Sequence, residues 1–510
     1  MQLYQWLSSV ADDRGSAKAL VYRDTYLSWR GLLHRVDRRA QELHAMGIGP
    51  GSWVGLMLGN VPDFVILTLA VSKVEGVAVP LDPTTGNREL EMILEAAPLR
   101  ALVTRPRGGE GVQAAAGLPY YATPPVARAP AGPPSKFAPE IRRRLQGTLL
   151  SCNLYKRAPL ANLVHEGKNE GKNEGKDGGK DAPAVVQFTA SVGGDPKGVV
   201  KTAANLGAAA QAIGKTLGVS HDDRVLCTMP LHTSYGFDFG LLVALANGTT
   251  LFLEDEVSPK RIAKLLREQS IDFFAGNPAL YGSLVRVPTI KPLKTSGARF
   301  LSSGSSLPAS IAESFHERFG VRLLSCYHGT QAGPLAIDRA GKDPETVGKA
   351  FEGVEVRVAG AKGDRITAGE IGPIWARSKT LSMLSVPKIH LPKRDDGVPI
   401  GGAGTDGWYR TGDLGQIDKN GRLTITGRED DLVKVDGKRV ALGEVEGCLE
   451  SFPKIKAAQA RVITDDMGGP MVVARVVRAS MCRAEDIIDH CARNLAPYKV
   501  PRQIEFCESF

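Results

Sequence analysis

The seven cysteines of this chain stand far apart, at positions 152, 227, 326, 448, 482, 491 and 507, and no CxxC pair occurs. That spacing argues against a disulfide framework and against a structural zinc site, and it predicts a reducing, cytoplasmic setting. No apolar run reaches the roughly 18 residues that a spanning helix needs. The first residues show no basic stretch followed by an apolar core, so no secretory signal is expected. Sixty-four basic residues against 55 acidic ones give a net charge of +9. This mild excess suits an anionic ligand. The basic residues are spread out without interleaved aromatics, so nucleic acid is not an expected partner.

What is present is ordinary globular material. The 510 residues are 43% apolar and 23% charged, enough for large cores and for several structural units. Residues 19–22, 53–58, 77–81 and 101–104 have strand-like character. Between them lie helical patterns. One begins after Ser28, a candidate cap, and carries Leu32, Leu33, Val36 and Leu43 at helical spacing. A second opens at Pro62 and runs through Val74, and a third covers 87–96. Strands separated by helices predict an α/β protein with a parallel sheet. From 105 to 182 the chain turns rich in Pro, Gly and Lys. Its segment 166–181, EGKNEGKNEGKDGGKD, reads as a solvated loop because five glycines oppose a helix. Regular structure resumes at 184–189, and short strands with tight Asp/Gly turns follow Gly402.

Three motifs carry chemistry. The strand at 184–188 runs into Thr189-Ala-Ser-Val-Gly-Gly-Asp-Pro-Lys-Gly198. Such a loop can turn its amide N–H groups toward phosphate, with Lys197 adding a mobile charge. It is not a Walker A loop, because Val199 stands where that motif requires Lys. The alternative is a plain strand-to-helix turn. The second motif is Tyr409-Arg-Thr-Gly-Asp-Leu414, where Asp413 follows a turn glycine. A carboxylate fixed there suits a diol such as ribose. The alternative is a surface turn. The third is Gly427-Arg-Glu-Asp-Asp-Leu-Val-Lys-Val-Asp-Gly-Lys-Arg-Val440, in which Arg428 and Lys434 can face polyphosphate. The alternative is a charged hairpin.

In order and spacing, these three motifs resemble the adenylate-forming (AMP-binding) superfamily of acyl-CoA synthetases and peptide-synthetase adenylation domains. Further matches are Gly76-Val-Ala-Val-Pro-Leu-Asp82, Pro230-Leu-His232, Ser303-Gly-Ser-Ser-Leu-Pro308 and Tyr327-His-Gly-Thr-Gln331. The resemblance runs from about residue 19 to the end, interrupted at 105–182. It implies a large N-terminal domain of α/β sheets with a small β-barrel, residues 1–427. A small α+β lid domain, residues 428–510, would follow. It also implies a two-step ligase. A carboxylate attacks the α-phosphate of ATP with Mg²⁺, releasing pyrophosphate, and the thiol of CoA or of phosphopantetheine on an acyl carrier protein then displaces AMP.

Carried over by position, Thr189, Ser191, Gly193, Gly194 and Lys197 would hold the β- and γ-phosphates. Ser303 and Gly304 would join them in nucleotide binding, and Tyr327 would lie against adenine. Thr330 would meet the α-phosphate, and Asp413 the ribose, with Arg428 nearby. Asp430 would be the hinge, and Lys434 and Lys438 would serve thioester formation. His232 and Tyr235 would line the acid pocket. Amino-acid-activating members place an Asp where this chain has Ser234–Gly236. Asp238 is about three residues out of register, so a simple fatty or aryl acid is favoured.

Departures accompany the resemblance. Hydroxyls of the usual phosphate loop are lost at 190, 192 and 193. Gln331 replaces the Glu that helps bind Mg²⁺, and a neutral carbonyl is a poorer ligand for that cation. His328 replaces a usual glycine next to the adenine. The family pattern continues, beyond the position of Phe510, into a segment bearing the lysine used in adenylation. Two readings follow: a working ligase, impaired in its adenylation half, or a degenerate relative that binds nucleotide or acyl ligand with little turnover.

Overall fold

A computed structural model describes residues 2–85, 87–104, 153–156, 182–189, 197–287, 297–360, 364, 366–382, 384–386, 402–403, 407–429, 432–435, 438–464, 470–495 and 499–508. The chain divides into two compact units. One comprises residues 1–345, 350–355 and 378–390; the other comprises 346–349, 356–377 and 391–510.

The first unit is mixed α/β and holds two sheets. In the seven-stranded sheet the order is Leu384–Val386, Lys197–Thr202, Pro183–Thr189, Val77–Pro80, Trp53–Met57, Leu99–Thr104, Asn153–Lys156. The four strands from Pro183–Thr189 to Leu99–Thr104 run parallel. Their apolar sequences fit strands covered on both faces. The nine-stranded sheet runs from the short edge strand Lys349–Ala350 through Gly333–Ile337, Leu323–Gly329, Arg299–Ser302, Phe273–Gly276, Arg224–Cys227, Thr250–Leu253 and Lys18–Tyr22 to Thr25–Ser28. The pairs from Leu323–Gly329 to Lys18–Tyr22 are all parallel. The first strand predicted from sequence thus joins a different sheet from the next three.

The helices begin where the sequence said. Ser28 caps Trp29–Ala45, accepting from the Gly31 N–H at 3.1 Å. Pro62 occupies the first turn of Pro62–Lys73, where its missing N–H costs nothing. Beside the nine-stranded sheet, Phe274, Tyr281, Phe300, Phe315 and Phe319 are fully buried. Their rings meet mostly edge to face, the arrangement that aromatic quadrupoles favour.

The second unit carries a sheet built on Tyr409–Ile417. That strand pairs antiparallel with Gly372–Ser378, Gly402–Ala403 and Leu423–Arg428. Farther along are the hairpin Leu432–Val435/Lys438–Ala441 and a three-stranded sheet of Ile455–Thr464, Pro470–Arg478 and Gln503–Cys507. Helices Leu442–Glu450 and Ala484–Asn494 accompany them, with Val445, Leu449, Val476 and Ile487 buried in the core. The Lys/Gly-rich segment 166–181 lies outside the described residues.

Candidate active site

Parallel strands leave their carboxyl ends open to ligands, and Ser303, Gly304 and Thr330 follow such ends in the first unit. Thr228 follows Arg224–Cys227, and Ser302 closes Arg299–Ser302. Both hydroxyls are buried with no hydrogen-bond partner among the described residues. Ser303 donates its N–H to the Gly276 carbonyl at 3.2 Å. Gly304 adopts φ +94°, a conformation that favours glycine.

Thr330 and Gln331 form the turn of a hairpin between Leu323–Gly329 and Gly333–Ile337. Two bonds pin that turn. The Gln331 carbonyl accepts from the Ser382 N–H at 2.9 Å, and the Ala332 carbonyl accepts from the Thr380 hydroxyl at 2.6 Å. On this support the Thr330 hydroxyl accepts from that of Ser234 at 3.0 Å. Lys197 Nζ donates to Gln331 Oε1 at 2.9 Å. Burial holds the Lys197 ammonium below the ordinary lysine value.

The strand-to-helix turn offered as the alternative for the loop before Lys197 does not match the strand pairing. Pro183–Thr189 and Lys197–Thr202 pair antiparallel, with Thr189 opposite Lys197. The loop therefore closes a hairpin, and the helix Ala203–Leu217 begins only after Thr202. The β-branched run Val199-Val200 extends the chain where a P-loop would turn helical. Ser191, Gly193 and Gly194 lie outside the described residues.

The acid-pocket candidates occupy the same unit. Thr233 caps a short helix, Ser234–Gly236, accepting from the Gly236 N–H at 3.2 Å. A Cβ on Gly236 would lie 2.3 Å from the Pro230 carbonyl oxygen, so only glycine fits. Tyr235 is buried, and its hydroxyl donates toward the Gly276 and Leu301 carbonyls at 3.2 and 3.3 Å. His232 Nε2 is 3.6 Å from Asp82 Oδ2. Burial lowers the His232 pKa despite that carboxylate, which favours a neutral imidazole. Burial raises the Asp82 carboxyl, but hydrogen bonds from Thr84 outweigh it and hold the group below its ordinary value.

Sequence reasoning missed a buried cluster here. Asp238 contacts Lys201 Nζ at 3.3 Å through Oδ1 and 3.0 Å through Oδ2, and His328 Nε2 lies 3.0 Å from Oδ2. The side chains are 2%, 0% and 3% exposed for Lys201, Asp238 and His328. The signal was available: Lys201 directly after the apolar run Gly198-Val-Val200 and one Asp inside the apolar stretch FDFGLL. The register of Asp238 removed it from a substrate-amine role but not from the site. Phe237–Leu242 is a π-helix, a distortion frequent at functional positions.

In the second unit Asp413 and Arg428 are opposite one another on paired strands, and Arg428 reaches Asp413 Oδ1 at 3.2 Å. Gly412, at φ +88°, makes the bend before Asp413. A second missed element lies beside them. Arg410 and Glu429, each 1% exposed, form a two-fold ion pair at 3.0 and 2.6 Å. Lys434 and Lys438 lie on the two strands of a hairpin, with Lys434 opposite Arg439 and Lys438 opposite Val435. Asp430 lies outside the described residues. Tyr327 is buried at the end of Leu323–Gly329.

Whether Mg²⁺ fits the protein's own groups can be judged from Gln331. Its carbonyl oxygen is neutral and already holds the Lys197 ammonium. Among the described residues no group of three His, Cys, Asp or Glu can hold a metal ion. The donor set therefore does not fit a protein-held Mg²⁺ at Gln331.

The family described as AMP-binding enzyme matches residues 7–384. The AMP-binding enzyme C-terminal domain matches residues 444–510. Feruloyl-CoA synthase from Amycolatopsis sp is 26% identical over 508 residues, covering 96% of this chain and 92% of that protein. Medium-chain fatty-acid–CoA ligase from Escherichia coli (strain K12) is 26% identical over 492 residues, covering 94% and 82%. The crystal structure of ATP-bound MatB from Rhodopseudomonas palustris superposes with a TM-score of 0.80 at 22% identity, covering 100% of this chain and 95% of that one. Among the described residues no helix is long and apolar enough to cross a membrane.

Proposed function

The chain belongs to the AMP-binding enzyme family, and from that premise we propose the following division of labour for its reaction. It is an acyl-CoA synthetase-like ligase that uses ATP to activate a carboxylic acid. A carboxylate oxygen attacks the α-phosphorus, and the bond to the bridging oxygen breaks to release pyrophosphate. A thiolate then attacks the acyl carbon and AMP departs with the bonding electrons. The leaving groups are good ones, so the protein's work is positioning and charge stabilisation.

One observation carries the assignment of the nucleotide side: Lys197 and the Thr330–Gln331 turn, 134 residues apart in the chain, meet at 2.9 Å. Lys197 and the hairpin loop from Thr189 would receive the β- and γ-phosphates, with Ser191, Gly193 and Gly194 supplying N–H groups. Thr330 would donate to the α-phosphate, with Ser234 orienting its hydroxyl. Tyr327, Ser303 and Gly304 would flank the base and phosphates. Asp413 would accept both ribose hydroxyls, its carboxylate aimed by Arg428. Lys434 and Lys438 would act in the thioester step after rotation about Asp430, with residues 428–510 as the moving lid. Mg²⁺ would arrive on the ATP phosphates, which with water are its usual ligands, and no step here is routed through it.

Absence of an acid in Ser234–Gly236 supports a fatty or aryl acid over an amino acid. The ligase activities of the relatives favour turnover over a degenerate binder. CoA is the thiol that those relatives' names imply, an acyl carrier protein the alternative, and the cytoplasm the proposed location. The test is carboxylate-dependent ATP–pyrophosphate exchange with Mg²⁺ and a pooled acid panel, followed by AMP release with CoA. Exchange above background is the expected result. None with any acid would overturn the ligase reading.

A further inference from the structure

The buried Lys201–Asp238–His328 cluster has no part in the roles assigned above. Each member sits on an element that also carries a site residue. Lys201 shares the strand and the face of Lys197, four positions on. Asp238 follows Tyr235 by three residues, and His328 precedes Thr330 by two. The cluster therefore ties together the phosphate hairpin, the acid segment and the turn at Thr330.

A buried ion pair is costly to desolvate and survives only with good geometry and added hydrogen bonds. Both are present, because Asp238 Oδ2 meets Lys201 Nζ and His328 Nε2 at 3.0 Å each. Burial pushes the Asp238 carboxyl up, but Lys201 and His328 outweigh it and keep it below its ordinary value. Burial holds His328 below the usual histidine value, against the pull of Asp238. The arrangement is a neutral imidazole whose Nε2–H is donated to a carboxylate anchored by an ammonium.

That bond fixes where the ring lies. Its centroid is 5.8 Å from Tyr235 and 5.6 Å from Phe239, and Tyr235 is 5.1 Å from Phe239. Tyr235 is held by two backbone carbonyls, and its neighbour Ser234 touches Thr330. The three rings form a rigid wall beside the proposed point of adenylation. In the resemblance described above, position 328 is a glycine, so here a methylene and five ring atoms enter that space.

We propose that His328, positioned by Asp238 and Lys201, is a specificity-determining residue that closes the acyl site against Tyr235 and Phe239, admitting short or planar carboxylic acids and excluding long flexible ones. The proposal rests on the ligase reading. Its test uses the full chain and a panel of straight-chain acids of four to twelve carbons together with aryl acids. The wild type is expected to prefer aryl acids or chains of six carbons or fewer. His328→Gly should then gain about fourfold per added methylene, on the order of 50-fold over three, in relative kcat/KM. The KM for ATP should stay within about threefold. His328→Gln, which keeps bulk and a donor for Asp238, should retain the wild-type order.

A wild-type preference for dodecanoate overturns the proposal and needs no variant that folds. So does an unchanged order in a folded His328→Gly. In both outcomes the ligase reading stands, whereas no exchange with any acid overturns both.

Discussion

Removing Glu429 takes from the buried guanidinium of Arg410 its two-fold carboxylate partner. Both side chains are 1% exposed, and they meet through Nε–Oε1 at 3.0 Å and Nη2–Oε2 at 2.6 Å. Breaking a buried pair by deleting one partner costs about 3–5 kcal/mol, because the remaining charge is left without compensation. Replacing both by apolar groups of similar volume is often neutral or stabilising. Glu429→Ala should therefore be severe and the double variant Arg410→Met/Glu429→Leu mild, a non-additivity of about 3 kcal/mol. The lesion is local to the proposed ribose site. The Glu429 N–H bonds the Gly412 carbonyl at 2.7 Å, and Arg428 and Asp413 are the flanking residues. Hydrogen exchange of the strand Tyr409–Ile417 reads it directly. At about 1.4 kcal/mol per tenfold, protection should fall between about 10² and 10⁴-fold in Glu429→Ala and largely return in the double variant. A cost under about 1 kcal/mol, or a double variant as damaged as the single, would refute the account of the pair as desolvated and mutually dependent.

Asp413→Ala should raise the KM for ATP at least tenfold with little change in the KM for the acid; equal changes in both would remove Asp413 from the ribose role. Gln331→Glu places a carboxylate beside Lys197 and supplies the hard oxygen that Mg²⁺ prefers. The Mg²⁺ concentration for half-maximal pyrophosphate exchange should fall about tenfold, and an unchanged requirement would mean that Gln331 lies off the metal's path. The folded-state pKa values of His232 and His328 are both lowered, against about 6.5 when unfolded. The unfolded chain then binds more protons in that interval, so stability should rise with pH up to about 6.5 and level off above it. The groups facing them are Asp82 for His232 and Asp238 with Lys201 for His328. Urea midpoints at pH 5.5, 6.5 and 7.5 check this, and His328→Gln should flatten the slope. A slope unchanged in that variant would exclude His328 as a source.

Much of the architecture was legible because it depends on local patterns. Ser28, Pro62 and the alternating strands announce themselves within a few residues, and the Asp413–Arg428 pair lay inside motifs whose spacing is short. What was not legible depends on the partition of strands between sheets and on meetings across long sequence separations. Residues 19–22 and 53–58 look alike as strands, yet they join different sheets, a choice made by packing. Nothing in the glycines before Lys197 reveals that Lys197–Thr202 pairs back on Pro183–Thr189. Lys201, Asp238 and His328 were three separate anomalies in apolar or glycine positions, and only folding shows that each one answers the others. An isolated charge at a core position is expensive, so a Lys that ends one apolar run and an Asp that interrupts another imply a meeting. Positions where sequence consistency fails are also where function is expected to reside. Here the failure joins three elements, each bearing a proposed site residue, which is why the cluster is better explained by the acid it faces than by the stability it contributes.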